Sequence, residues 1–303
     1  KKGVAIVKRL WLLLGGLVIG GGLLTGCQSK STTAESHKVN IVATTNFYGS
    51  VAKAVGGKHV SVTSIINKPS VDPHDFEPTP TVAKTVGQAD LVIANGIGYD
   101  GWMNKVVHST QRAKLIRVGE DVMHRKEGAN EHLWYDSATM PATANYLANQ
   151  LAKKQPQYRT YFKANARKYI ATLKPIQQEQ AKLRAKANKL KNRQVLVSEP
   201  VFDYALTSLG FKVANQDFEN AIEKGTDPAP QVIHKMQQAL KSRQVAFFVN
   251  NSQVSDKLVT NMVSLAKKNQ VPMLNVTETM PAKLTYQQWM LAQYRQLNQL
   301  LSD

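Results

Sequence analysis

Residues 39–66 read VNIVATT, NFYGSVAKAV, GGKH and VSVTSII. The first block, Val39 to Thr45, is almost wholly apolar or β-branched, as a strand buried on both faces requires. Phe47–Val55 carries apolar residues at helical spacing, and Gly56-Gly57 stops it. Val60–Ile66 reads as a second strand. A strand, a helix and a second strand in so short a span form one βαβ unit, which forces the two strands to run parallel.

The same alternation extends in both directions. Thr79–Ala89 and Trp102–Ser109 read as helices, Ala89–Asn95 as a third strand and Lys114–Val118 as a fourth. From Ala142 to Asn192 the pattern changes: there is no Gly, Pro occurs only at 156 and 175, and Phe162, Ala166, Tyr169 and Leu173 recur at helical spacing. A helix from Ala142 to Lys154, a break at Gln155-Pro156-Gln157, and a long helix to about Lys191 with a kink at Pro175 are expected. At 1.5 Å per residue the long helix would span roughly 50 Å, a spine between two halves. Strands at Gln194–Val197, Lys212–Ala214, Val245–Val249 and Pro272–Val276 then alternate with helices at Val201–Leu209, Pro230–Lys241, Ser255–Lys268 and Tyr286–Leu301. The fold class is α/β with two similar halves: a lobe over 38–154, a linking helix over 155–192, and a lobe over 193–303.

The N-terminal end sets the compartment. Lys1, Lys2, Lys8 and Arg9 precede an apolar run from Leu10 to Leu24 that closes on Thr25-Gly26-Cys27. This is the layout of a signal peptide over 1–26, and the run is short of the roughly 20 residues that cross a bilayer. Cys27 is the sole cysteine, so it has no internal disulfide partner. Its setting resembles the bacterial lipobox, which implies lipidation at Cys27, a polar tether over 27–37 and a cell-membrane location on the extracytoplasmic face. The formal net charge is +18, from 39 Lys and Arg against 21 Asp and Glu. These charges are spread over helices without aromatic interleaving, which speaks against a nucleic-acid groove and for a solvated basic surface.

With cysteine confined to the leader, any metal site must use His and carboxylates. His74 stands in Val71-Asp72-Pro73-His74-Asp75-Phe76-Glu77-Pro78-Thr79-Pro80, where three prolines stiffen the loop after the second strand. Ligands bind at carboxyl strand ends in open α/β sheets; a surface His in a Pro-rich turn fits the spacing equally well. His132, in Glu131-His132-Leu133-Trp134-Tyr135-Asp136, has apolar neighbours, and Asp136 is a candidate to orient its ring; a satisfied half-buried His is the alternative. Glu199 and Glu278 each follow a strand and precede a proline. A helix N-cap or first-turn role competes with ligation for both. His37, His59, His108, His124 and His234 read as structural or solvated.

The run Asp72-Pro73-His74-Asp75-Phe76-Glu77-Pro78-Thr79 resembles the first ligand motif of the zinc and manganese ABC transporter substrate-binding lipoproteins. Asn46-Phe47-Tyr48, Ala89-Asp90-Leu91-Val92 before Asn95-Gly96, His132-Leu133-Trp134, Tyr286-Gln287-Gln288-Trp289-Met290 and the lipobox are similar too, so the resemblance covers essentially the whole mature chain. It implies two lobes, each with a roughly four-stranded parallel sheet flanked by helices, joined by a long rigid helix. It also implies metal ligands His74 and His132 from the first lobe and Glu199 and Glu278 from the second. The fourth position is usually Asp in this family, and here Glu278 sets the carboxylate one methylene further out. The cargo implied is Mn²⁺ or Zn²⁺, the partner a membrane permease, and the chain a monomer without enzymatic activity. Two carboxylates favour Mn²⁺, while the Irving–Williams order favours Zn²⁺. A secreted metal-dependent hydrolase and a surface adhesin are the alternatives; no His-Glu-x-x-His helix supports the former. Metal release is expected to need small rearrangements, around Glu278 in particular, and not a wide hinge motion.

Overall fold

The computed structural model describes residues 37–302 except 70, 72, 74, 75, 111 and 255. The expected leader, Cys27, most of the tether, and His74 lie outside the described residues. His37–Asp303 form one compact unit.

The first lobe alternates β1 (Val39–Thr45), α1 (Asn46–Gly56), β2 (Val60–Ile66), α2 (Pro80–Gly87), β3 (Leu91–Ala94), α3 (Trp102–Thr110) and β4 (Lys114–Arg117). Its sheet runs β2-β1-β3-β4, every pair parallel. The apolar run of β1 is explained by its two faces. Ile41 and Ala43 enter the main core with Phe47, Val51 and Leu147, while Val42 packs with Val86, Val92 and Met103 on the other side. Both faces are therefore covered by helices, as a parallel sheet demands. The turn into β2 uses Gly57 at φ +54, where a Cβ would lie 2.2 Å from the Tyr161 hydroxyl.

α4 (Thr139–Lys154) leads to α5 (Arg159–Ala171) and α6 (Lys174–Ala187). The linking track is two helices, α5 and α6, broken at Thr172-Leu173 just before the proline. Pro175 sits in the first turn of α6 and has no N–H to offer the Ala171 carbonyl. Thr172 and Leu173 instead make tight bonds to Tyr169 and Ile170.

The second lobe continues with β5 (Gln194–Val197), α7 (Asp203–Leu209), β6 (Lys212–Val213), α8 (Gln216–Glu223), α9 (Pro230–Ser242), β7 (Phe248–Asn251), α10 (Lys257–Lys268), β8 (Met273–Val276) and α11 (Tyr286–Leu300). Its sheet order, β6-β5-β7-β8, repeats that of the first lobe, again all parallel. Two departures from expectation bear on the site. β7 lies further along than Val245–Val249, because Asn250 and Asn251 pair with Asn275 and Val276. Tertiary pairing here overrides the low strand propensity of asparagine. α8 was not foreseen, since among its eight residues only Phe218 gives a fully buried apolar anchor.

Candidate metal centre

In both sheets the order reverses between the first strand of the lobe and its third, and open α/β sheets bind ligands at the carboxyl ends of that switch point. In the second lobe the switch point lies between β5 and β7. Glu199, two residues past β5, meets Asn251, the last residue of β7: Asn251 Nδ2 donates to Glu199 Oε2 at 2.8 Å. Glu199 has extended backbone at the start of a 3-10 turn over Pro200–Phe202, and its side chain caps nothing. The helix-cap explanation for Glu199 is thereby removed.

His132 is fully buried, just before a 3-10 turn over Leu133–Tyr135. The expectation that Asp136 orients its ring is corrected. Asp136 pairs with Arg125 at 3.3 Å and accepts from the Ala138 N–H. Asn130 takes the orienting part: its Oδ1 lies 3.0 Å from His132 Nδ1 and accepts from the His132 N–H at 2.9 Å. The amide cannot flip, because Asn130 Nδ2 donates to the Pro200 carbonyl at 2.7 Å. The Asn130 oxygen accepts from Nδ1, which turns Nε2 toward the Glu223 carboxyl group. Sequence reasoning missed Asn130 because a two-residue offset to a histidine carries no distinctive spacing.

The loop bearing His132 is held by a chain that begins in α1. Tyr48 donates to Asn95 Oδ1 at 2.6 Å, and Asn95 Nδ2 donates to the Glu131 carbonyl at 2.9 Å. Buried Asp100 accepts from the Asn95 and Gly96 N–H groups, which fixes the turn carrying Tyr99. The Tyr99 hydroxyl donates to Glu278 Oε1 at 2.9 Å, across from the first lobe to the second. Burial first, and then the Glu278 carboxylate, hold the Tyr99 phenol far above its usual range, so it remains a donor.

Glu278, 8 % exposed, follows β8 in a loop bound on three sides. Tyr135 donates to the Thr277 carbonyl at 2.5 Å, Trp289 Nε1 to Thr277 Oγ1 at 2.7 Å, and Asn46 Nδ2 to the Met280 carbonyl at 2.9 Å. Glu223, at the end of α8, brings a further carboxyl group: its Oε1 is 3.8 Å from His132 Nε2. Burial and then the fields of Glu199, Glu278 and Glu131 push Glu223 up to about 10. Glu223 thus meets His132 directly and stands within the fields of Glu199 and Glu278. Such a concentration of acid around an imidazole suits a dication, whose charge would reverse the local titration logic. Among the described residues, no three of His, Cys, Asp and Glu converge tightly enough to hold an ion by themselves.

Of the other histidines, His59 is buried and stacked on Tyr158 at 3.7 Å, and His108 and His234 lie on exposed helix surface.

Two lobes of matching topology, with acid and a buried imidazole close together, are the architecture met in the solute-binding proteins of metal ABC transporters. The chain belongs to this family: the profile described as "Zinc-uptake complex component A periplasmic" matches residues 41–300. It is 30% identical over 262 residues to the iron ABC transporter substrate-binding lipoprotein MtsA of Streptococcus pyogenes serotype M1, covering 81% of this chain and 82% of that protein. It is 27% identical over 269 residues to the manganese ABC transporter substrate-binding lipoprotein PsaA of Streptococcus pneumoniae, covering 83% and 84%. The periplasmic zinc binding protein TroA of Treponema pallidum shares the fold, with a TM-score of 0.70 at 19% identity over 87% of this chain and 99% of that one. The Mn-bound periplasmic metal binding protein of Candidatus Liberibacter asiaticus does so too, with a TM-score of 0.68 at 17% identity over 87% of this chain and all of that one.

Proposed function

We propose that this protein captures Mn²⁺ or Zn²⁺ outside the cytoplasm and delivers it, without chemical turnover, to the membrane permease of an ABC transporter. His74, His132, Glu199 and Glu278 are the proposed ligands, and a diacylglyceryl group on Cys27 the proposed anchor of a monomeric mature chain. The observation that carries the reading is His132: a buried imidazole whose Nδ1 is committed to Asn130, with Nε2 turned toward acid contributed by the other lobe. Such a group has no structural need for a neighbouring cluster of carboxylates, and burying like charges together is costly unless a cation compensates them. Two imidazoles and two carboxylates are a harder donor set than three imidazoles and one carboxylate, which suits Mn²⁺; Zn²⁺ binds the same donors more strongly on intrinsic affinity.

The test is calorimetric titration of metal-stripped protein with each ion. His132→Ala and His74→Ala are each expected to weaken binding by more than about 100-fold, since even residues that only orient ligands cost 10–100-fold. Wild-type affinity in either variant would remove that residue from the site. Cys27→Ala should move the protein from the membrane fraction to the soluble one.

A further inference from the structure

The loop after β7 reaches further than the ligands it adjoins. Asn251 holds Glu199 through Nδ2, and its Oδ1 accepts from the Gln253 N–H at 3.2 Å. The Gln253 side chain then makes three bonds in two directions. Its Nε2 donates to the Pro69 carbonyl at 2.7 Å and to Thr279 Oγ1 at 2.6 Å, while its Oε1 accepts from the Thr279 N–H at 2.9 Å. Pro69 belongs to the loop after β2 in the first lobe; Thr279 follows Glu278 in the second. One amide thus uses both donor hydrogens and an acceptor site to join two loops from opposite lobes. Other described bonds reach the 277–280 loop from Tyr99, Tyr135, Trp289, Gln293 and Asn46, none of them from the Pro69 loop.

Gln253 also lines a cavity of about 340 Å³, with Glu199, Ile222, Asp227, Asp256 and Leu258. Glu199 forms part of its wall, and Asp227 and Asp256 are exposed carboxylates in the same lining. Basic residues outnumber acidic ones along the chain, so an opening lined by three acids is a favourable approach for a cation. The amide that ties the lobes therefore lies along the approach to Glu199.

We propose that Gln253 is a positioning residue for the cargo: by tying the Pro69 loop to the Thr279 loop beside this cavity, it sets how slowly a bound metal ion leaves. The proposal rests on the metal-binding reading above. A bound ion departs when the loops around it part, and parting these two breaks all three amide bonds together. The bonds contribute nothing to the initial encounter, which the acids at the cavity govern.

The experiment is stopped-flow measurement of Mn²⁺ and Zn²⁺ association and dissociation on the full mature domain, for wild type, Gln253→Ala and Gln253→Met. Methionine keeps the volume and loses the hydrogen bonds, so it guards against a packing effect. Both variants are expected to speed dissociation about tenfold, the effect of losing roughly one net hydrogen-bonded tie of this kind. Association should change less than twofold, and the melting temperature of the metal-free protein should fall by no more than a few degrees, since the same three bonds are formed there. Dissociation within twofold of wild type, or a change confined to association, overturns the proposal. So does a metal-free melting temperature that falls while dissociation is unaltered, because that marks a purely structural residue. Failure of wild-type protein to bind either ion would instead refute the metal-binding reading itself.

Discussion

Asp203, half-buried at the start of α7, and Glu219, buried on α8, are a second acidic pair apart from the proposed ligands. Burial pushes Asp203 up to about 6; burial and then the Asp203 charge push Glu219 up to about 9. Glu219 therefore keeps its proton at neutral pH and donates it to the Asp203 carboxylate. Both carboxyl groups titrate above their unfolded-state values, so between about 4.5 and about 9 the folded chain binds more protons than the unfolded one. Stability must then fall as pH rises through that window. Glu219→Gln keeps a donor toward Asp203 without a proton to lose. It is expected to remove the Glu219 share of the slope, with Glu223 still contributing its own over the same window, and to be worth roughly 2 kcal/mol at the alkaline end relative to wild type. Urea midpoints at both ends of the window measure this, and a wild-type profile that rises with pH would refute it.

At the scale of elements, α11 is the one on which the Glu278 loop depends most. Its start is a capping box: Thr285 Oγ1 accepts from the Gln288 N–H, and Gln288 Oε1 accepts from the Thr285 N–H at 2.9 Å. From that start the helix projects Trp289 to Thr277 Oγ1 and Gln293 Oε1 to the Thr277 N–H. Thr285→Ala should cost about 1 kcal/mol, lowering the melting temperature by about 2–4 °C in a chain of this size, readable by calorimetry. An unchanged melting temperature would show that packing alone fixes the helix start. Helices and strands of this sort were legible in the sequence because burial imposes a period. The apolar run of β1 and the amphipathic stretch Tyr286–Leu300 each state which face is covered. α8 was illegible because polar Gln216, Asp217 and Asn220 surround its one large anchor, so no period emerges. For the proposed site, Glu199 and Glu278 stand out in the sequence by their place after strands. Glu223, Asn130 and Gln253 do not, because each acts through a partner distant in sequence, and only the folded chain brings His132, Pro200, Pro69 and Thr279 to them.

At the scale of the whole molecule, the two lobes share one core. Ile41, Phe47 and Leu147 of the first lobe belong to the same buried cluster as Val197, Leu274 and Trp289 of the second. At its centre Tyr135 packs edge-on to Phe202 at 4.9 Å and to Trp289 at 5.7 Å between ring centroids. The linking track ties into both sides, with α5 packed on α1 and α4 and α6 packed on α11 and α7. Opening by a wide rotation would expose that aromatic surface to water, at about 25 cal/mol for each Å² of apolar area, and would break the bonds from Tyr99, Tyr135 and Asn46 together. Hinge-type closure turns two lobes about a few loop residues and needs an interface that can open. Here they meet through a core, so on the proposed function loading and release are expected to be confined to the loops around Glu278 and Gln253. Small-angle scattering from metal-stripped and Mn²⁺-saturated protein should give superimposable profiles. Melting should nevertheless rise, because an ion at a hundred times its dissociation constant adds about 2.7 kcal/mol to the folded state. A clear change in radius of gyration on metal removal would mean that the shared core parts during release, and with it the confinement of motion to the loops would be lost.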